Sequence, residues 1–160
     1  MTIFEDLVTY NALRFLVGVS EVEMADLALE ESGLDQELSA ELSGWIPAPA
    51  TAESIYTAGI AVDATDEEKL QDIYLRAYCR YYLAAQVLIT GLLKFATKIS
   101  DSQDEMTRAK WDDKEKIRLL MERANFYKNQ LLEELGEEVS TAAAFDIMGK
   151  ATPTFDPVTG

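Results

Sequence analysis

The sequence predicts an all-α protein: a small helical bundle with a long central helix, a second long C-terminal helix, short N-terminal helices and an extended C-terminal arm. Three observations predict this fold. Apolar residues recur every three or four positions along two long stretches. Ser or Thr followed three positions later by Glu marks several helix starts, and glycines follow helix ends. Residues 137–160 lose the periodicity and contain two prolines, so we expect a helical domain over 1–136 and an arm over 137–160.

The N-terminal part is predicted to form three short helices. The first opens with a capping box at Thr2 and Glu5 and ends at Gly18. The second opens with a box at Ser20 and Glu23 and runs to about residue 31. The third covers residues 34–46 and is closed by a glycine and a proline. The first helix is predicted to bury Phe4, Leu7, Val8, Ala12, Phe15 and Leu16, and the third Leu34, Leu38 and Leu42.

Residues 47–65 are predicted to be irregular. The segment is rich in small residues, contains proline, is nearly uncharged and has no helical period. Its larger apolar residues, Ile55, Tyr56, Ile60 and Val62, are compatible with a brief strand or a packed loop. Because long loops inside compact domains are often functional, this segment is a candidate contact element.

The central helix is predicted over residues 66–98, where Thr65 caps the start and Glu68 completes the box. Apolar residues on two sides indicate burial on two sides. The last helix is capped by Asp112 or Asp113 and ends at Gly136. At 1.5 Å per residue the two helices are about 50 and 36 Å long, so the N-terminal helices or a neighbouring chain must cover the rest of the central helix.

The composition excludes several kinds of chemistry. The chain has no histidine and one cysteine, Cys79, so zinc sites, Ser-His-Asp catalysis and disulfides are not expected. The acidic N-terminus does not resemble a secretory signal, and the longest uncharged run has thirteen residues, between Arg80 and Lys94, which is too short to span a bilayer. We therefore expect a soluble protein of intracellular origin, without enzymatic activity, cofactor or membrane contact.

The charge is unevenly distributed. Residues 1–72 have sixteen acids and two bases, a net charge of −14, and residues 73–136 have nine acids and eleven bases, a net charge of +2. Residues 137–160 contribute −3, which completes the net charge of −15. The acidic half is either a solvated surface or a surface that meets a basic patch on a neighbour. Phosphates would be repelled by it.

Other candidate sites have simple structural explanations. The acidic clusters at 63–68 and 112–115 fit helix N-termini, and a calcium site at Asp63 and Asp66 lacks the spacing of an EF-hand loop. Cys79 lies in an apolar row and is predicted to be inert. Four tyrosines are predicted to be core or interface residues: Tyr74, Tyr78, Tyr81 and Tyr82. A basic set is predicted to be an inter-subunit patch: Arg108, Lys110, Lys114, Lys116 and Arg118.

The layout resembles a known family. Short N-terminal helices, a long central helix, the polar connection "KISDSQDEMTRAKW" and the final helix "LLMERANFYKNQLLEEL" resemble the head–tail connector (adaptor) proteins of tailed bacteriophages, over residues 1–136 and most specifically over 97–135. The resemblance implies a structural protein of the virion neck, made in the host cytoplasm, that forms a ring, typically a dodecamer, under the portal. Such a ring extends the DNA channel, lets genomic DNA pass without specific binding, and docks tail or nozzle proteins.

The resemblance also gives the C-terminal arm a role, because family members extend such a segment into the portal or an adjacent subunit. The implied interface residues are Phe145, Ile147, Met148, Pro153, Phe155 and Pro157. The prolines would hold the backbone extended and so reduce the entropy lost on docking. The alternative function is that of an acidic DNA mimic or regulatory protein that inhibits a nucleic-acid-binding partner.

Overall fold

The computed structural model describes residues 7–21, 24–90 and 113–136. Within these ranges the chain forms six helices and no strand, which confirms the all-α fold with a long central and a long C-terminal helix. The helices are α1 (Tyr10–Val17), α2 (Asp26–Glu30), α3 (Leu34–Trp45), α4 (Ala52–Gly59), α5 (Asp66–Thr90) and α6 (Asp113–Glu134). The arm predicted over 137–160 lies outside the described residues.

Helices α5 and α6 form an antiparallel pair at the centre of the molecule. The start of α5 is the predicted capping box: the backbone N–H and the hydroxyl of Thr65 donate to the Glu68 carboxylate at 2.7 and 2.9 Å. The described part of α5 has 25 residues and is therefore about 37 Å long. Gln71 donates to the Glu134 carbonyl at 3.2 Å, which aligns the start of α5 with the end of α6. Gly136 follows α6 with a φ of +79°, as predicted for its end.

The core runs along α5, which is covered by α6, α4 and α1 in turn. Leu75, Cys79 and Leu83 lie on one row of α5 and are fully buried. Helix α4 crosses α5 so closely that a Cβ atom on Gly59 would lie 2.3 Å from the Asp72 Cβ. Asp72 is itself buried and binds Arg76 through both carboxylate oxygens at 2.9 Å. Only glycine fits this crossing.

The first helix differs from its prediction. Thr9 is the N-cap of α1 and accepts from the Ala12 backbone N–H, so the predicted continuous helix is interrupted at residues 8–9; the predicted Thr2 box lies outside the described residues. Phe15, predicted to be buried, is 85% exposed, whereas Arg14 is buried. Helix α1 is oriented so that Arg14 faces its polar partners, because a buried guanidinium must have its N–H groups satisfied. Phe15 consequently faces solvent.

Arg14 also explains why the second helix starts late. Its Nε donates to the Met24 carbonyl at 2.9 Å, and its Nη2 donates to the Asp26 carboxylate. These bonds hold the chain in a turn where a helix was predicted, so α2 begins at Asp26 and ends at Glu30. Glu23, the predicted second half of the capping box, lies outside the described residues.

The segment 47–65 is not irregular throughout, as was predicted, because residues Ala52–Gly59 form α4. A capping box built from Thr51 and Ser54 starts this helix: the Thr51 hydroxyl accepts from the Ser54 N–H at 3.1 Å, and the Ser54 hydroxyl accepts from the Thr51 N–H at 2.9 Å. Ile55 is the buried anchor of the helix. The prediction missed it because Ser replaces Glu in the box and only two turns form.

Candidate interaction surface

One side of the α5–α6 pair is covered by α3 through a polar aromatic cluster. The Tyr78 hydroxyl of α5 donates to the Glu41 carboxylate of α3 at 3.1 Å. The Trp45 ring meets the Tyr78 ring edge-on, with centroids 5.0 Å apart. From α6, the Lys128 ammonium lies 4.9 Å from the Trp45 ring centroid and 3.9 Å from the nearest Glu41 oxygen. These four residues, the covered cluster, join three helices through mutual contacts.

Tyr78 is the buried member of the covered cluster and is 2% exposed. Burial, assisted by the negative charge of Glu41, raises the pKa of Tyr78 far above its usual value of 10. The pKa of the half-buried Tyr82 is raised for the same two reasons. Burial likewise raises the pKa of Cys79, so its thiol stays protonated and unreactive near neutral pH, as predicted. These groups are structural.

On the opposite side of the pair, four large side chains of the described residues remain exposed. Ile73 and Arg80 project from α5 about 140–160° around the helix from Tyr78, and Arg123 and Phe126 project from α6 at a similar angle from Lys128. All four are exposed, and Ile73 and Phe126 are 57% and 51% exposed although they are large apolar residues. We call these four residues the open face.

Aromatic rings connect the open face to the core. Tyr81 of α5 stacks on Tyr127 of α6, with ring centroids 5.7 Å apart. Tyr74 contacts the same Tyr127 ring at 6.2 Å, and Phe126 meets it edge-on at 5.2 Å. The exposed Phe126 ring is therefore supported by neighbouring rings, and docking it would cost little conformational entropy.

The open face also contains two cations that have no partner among the described residues. Tyr81 stacks on Tyr127 and Gln71 binds Glu134, and this antiparallel register places Arg80 and Arg123 within about one to one and a half helical turns of each other along the pair. Both arginines are exposed, and neither forms an ion pair or a hydrogen bond with any residue in the described ranges. Aromatic residues and arginines dominate the energetics of protein interfaces. The open face therefore combines exposed apolar side chains with exposed positive charge.

The predicted inter-subunit basic patch does not form an unpaired surface. Lys116 donates to the Val17 carbonyl at the end of α1. Arg118 binds Glu115 and Glu122 on its own helix, an exposed network that also lowers the pKa of Glu115. Lys114 is exposed, and Arg108 and Lys110 lie outside the described residues. Arg80 and Arg123, which the sequence pattern does not single out, are the arginines that are exposed and have no partner among the described residues; the inter-subunit role of the basic set stays a prediction.

A signal for the open face is present in the sequence. Ile73 and Arg80 are seven residues apart and therefore share one face of α5, and the arginine interrupts an otherwise apolar row. Leu119 and Phe126 share a face of α6 by the same spacing. Which of these rows faces solvent depends on the position of α3, and the local sequence does not determine that position.

An acidic groove lies on the α3 side of the molecule. It has a volume of about 350 Å³ and lies between α3 and the residues that lead into α4. Its lining includes the apolar residues Leu38, Leu42 and Ile46 and the acidic residues Asp35 and Glu53. The groove thus combines apolar and acidic lining residues.

The remaining candidates from the sequence are the acidic cluster before α5, a membrane span and the arm residues. Asp63 and Asp66 are exposed at the start of α5, and no group of three or more described His, Cys, Asp or Glu residues is placed to hold a metal ion. None of helices α1–α6 combines the length and the apolar character that a membrane span requires. The predicted arm residues lie outside the described ranges: Phe145, Ile147, Met148, Pro153, Phe155 and Pro157.

Comparisons of the chain with protein-family models, with curated proteins and with solved structures find no match.

Proposed function

We propose that the chain is a structural assembly protein of the head–tail connector type, which forms a ring beneath the portal of a tailed bacteriophage and acts through contacts alone. The observation that supports this proposal is the open face. It presents Phe126 and Ile73 beside two arginines without a described partner, on a chain whose net charge is −15. A surface of this composition is typical of protein–protein recognition.

The charge of the other surfaces agrees with a DNA channel. Arg14 is the only base among residues 1–68, and it is buried against Asp26. The exposed acids of this part of the chain include Glu30, Glu37 and Glu67. A channel wall that carries such carboxylates repels DNA phosphates and lets the duplex slide. In this proposal the predicted arm over 137–160 contacts the portal or an adjacent subunit.

The proposal is tested by measuring the mass of the purified chain alone and after mixing with its cognate portal ring. We expect a ring, alone or on the portal, visible by negative-stain electron microscopy. Deleting residues 142–160 is the matched variant: helicity and melting temperature should be nearly unchanged, while ring assembly or portal docking is lost. A chain that stays monomeric and ignores the portal contradicts the proposal.

The second candidate function is a DNA mimic that inhibits a nucleic-acid-binding protein. It is favoured by the acids of residues 24–68, most of which are exposed, in a segment that lacks any base. Pull-down from a host lysate, followed by competition with duplex DNA, separates the two functions. A captured nuclease, polymerase or repressor that duplex DNA displaces supports the mimic. Binding to the portal that DNA does not displace supports the connector.

A further inference from the structure

The open face and the acidic groove are complementary in chemistry. On the open face, the exposed Phe126 and Ile73 lie on two helices together with the exposed Arg80 and Arg123. The groove is lined by apolar residues and by the acids Asp35 and Glu53. Potentials of opposite sign orient such surfaces and exclude wrong partners.

The two surfaces lie on opposite sides of the α5–α6 pair. Tyr78 and Lys128 mark the side that α3 covers, and the groove lies along α3. The open face projects from the other side. A contact between two different surfaces of the same chain is heterologous, and its repetition produces a ring when the rotation closes and a filament when it does not.

We propose that the open face of one copy docks into the acidic groove of a second copy, with Phe126 against the apolar lining and Arg80 and Arg123 beside Asp35 and Glu53. This inference rests on the proposed function, since it specifies the subunit contact of the ring. The basic side of that contact then lies in the middle of the long helices, whereas the density of bases in the sequence predicts it over residues 108–118.

Charge reversal on each surface tests the contact. The first variant combines Arg80→Glu with Arg123→Glu, and the second combines Asp35→Lys with Glu53→Lys. Each variant alone places like charges across the contact, which costs several kcal/mol at an interface, so we expect self-association to weaken by about a hundredfold. In an equal mixture of the two variants every contact pairs opposite charges again, and assembly should return.

The measurement is mass by light scattering after size exclusion, from micromolar to millimolar chain. It is made at about 0.05 M and at about 1 M salt, because screening shortens the Debye length to about 3 Å at the higher value. The matched control combines Glu30→Lys with Glu31→Lys, which changes the net charge by as much as the groove variant on exposed residues outside the groove. The control should assemble like the original chain. If a reversed variant loses helicity, Asp35→Asn with Glu53→Gln replaces the groove pair and should weaken assembly less.

The outcomes separate the contact from the function. Recovery in the mixture, with neither variant assembling alone, supports the proposal. Assembly that both reversals leave unchanged overturns this contact while the connector function stands. A chain that remains monomeric alone at millimolar concentration also overturns the contact, and the portal experiment then decides the function independently.

Discussion

The two sides of the central helix pair contain similar residue types in different surroundings. On the side that α3 covers, Tyr78, Trp45, Glu41 and Lys128 contact one another. On the open face, Phe126 reaches solvent next to two arginines without a described partner. The difference is that α3 packs on the first set. An aromatic and cationic set is paired and partly buried where α3 supplies a carboxylate and an indole ring, and it stays exposed on the open face.

The largest expected difference between the two sides is the effect of losing an aromatic ring. Replacing Tyr78, which is 2% exposed, with alanine should lower the free energy of unfolding by about 3–5 kcal/mol, since it leaves a cavity and removes the hydrogen bond to Glu41. Phe126→Ala is the matched change on the open face and should cost less than about 1 kcal/mol. Urea denaturation followed by circular dichroism measures both. Equal losses would show that α3 does not distinguish the sides.

The buried phenol should also make the covered side sensitive to alkaline pH. Because the pKa of Tyr78 is raised in the folded state, its contribution is fully present below about pH 10 and is lost above it, as the unfolded phenol ionises. The slope for one such proton is at most about 1.4 kcal/mol per pH unit.

Tyr78→Phe should therefore flatten the alkaline fall in stability. At neutral pH it should be less stable by about 1 kcal/mol, because the hydrogen bond to Glu41 is lost. The measurement is the free energy of unfolding between pH 8 and pH 11 for both chains, where these two limits bracket the usual tyrosine pKa of about 10. Cys79 contributes equally to both curves. An unchanged slope would contradict the assignment to Tyr78.

The smallest expected difference concerns two cations on the same helix. Lys128→Ala removes the contact with the Trp45 ring and the pair with Glu41, and should cost about 1 kcal/mol. Arg123→Ala removes an exposed side chain without a described partner and should change the free energy of unfolding by less than about 0.5 kcal/mol. Arg123→Ala should instead weaken the self-association of the chain. Chemical denaturation and light scattering of both variants separate the two roles.

The long helices could be predicted from sequence because their signals are local. The Thr65–Glu68 box and the positive φ of Gly136 act within one turn, and apolar periodicity continues between such signals. The bounds of the short N-terminal helices were harder to predict, because they depend on the contacts of a buried arginine. Arg14 reaches Met24 and Asp26, ten and twelve residues away, and no local pattern indicates that an arginine will face the core.

The candidate interface was predictable only in part. The acidic half of the chain can be recognised directly from the charges. The basic side is predicted over residues 108–118 from the density of basic residues, and this density does not show which of them form ion pairs within the chain. Lys116 and Arg118 find partners within the chain, whereas Arg80 and Arg123 are isolated in sequence and exposed in the fold. Whether a cation is available depends on tertiary contacts.

The bond between Lys116 and the Val17 carbonyl joins residues 99 positions apart. During synthesis on a ribosome, which proceeds from the N-terminus at about 5–20 residues per second, α1 therefore emerges long before its last partner. The first helix must wait for nearly the whole chain to be translated before its C-terminal end is secured. Closing so long a loop late also slows folding, because the entropy of the loop must be lost before the contact forms.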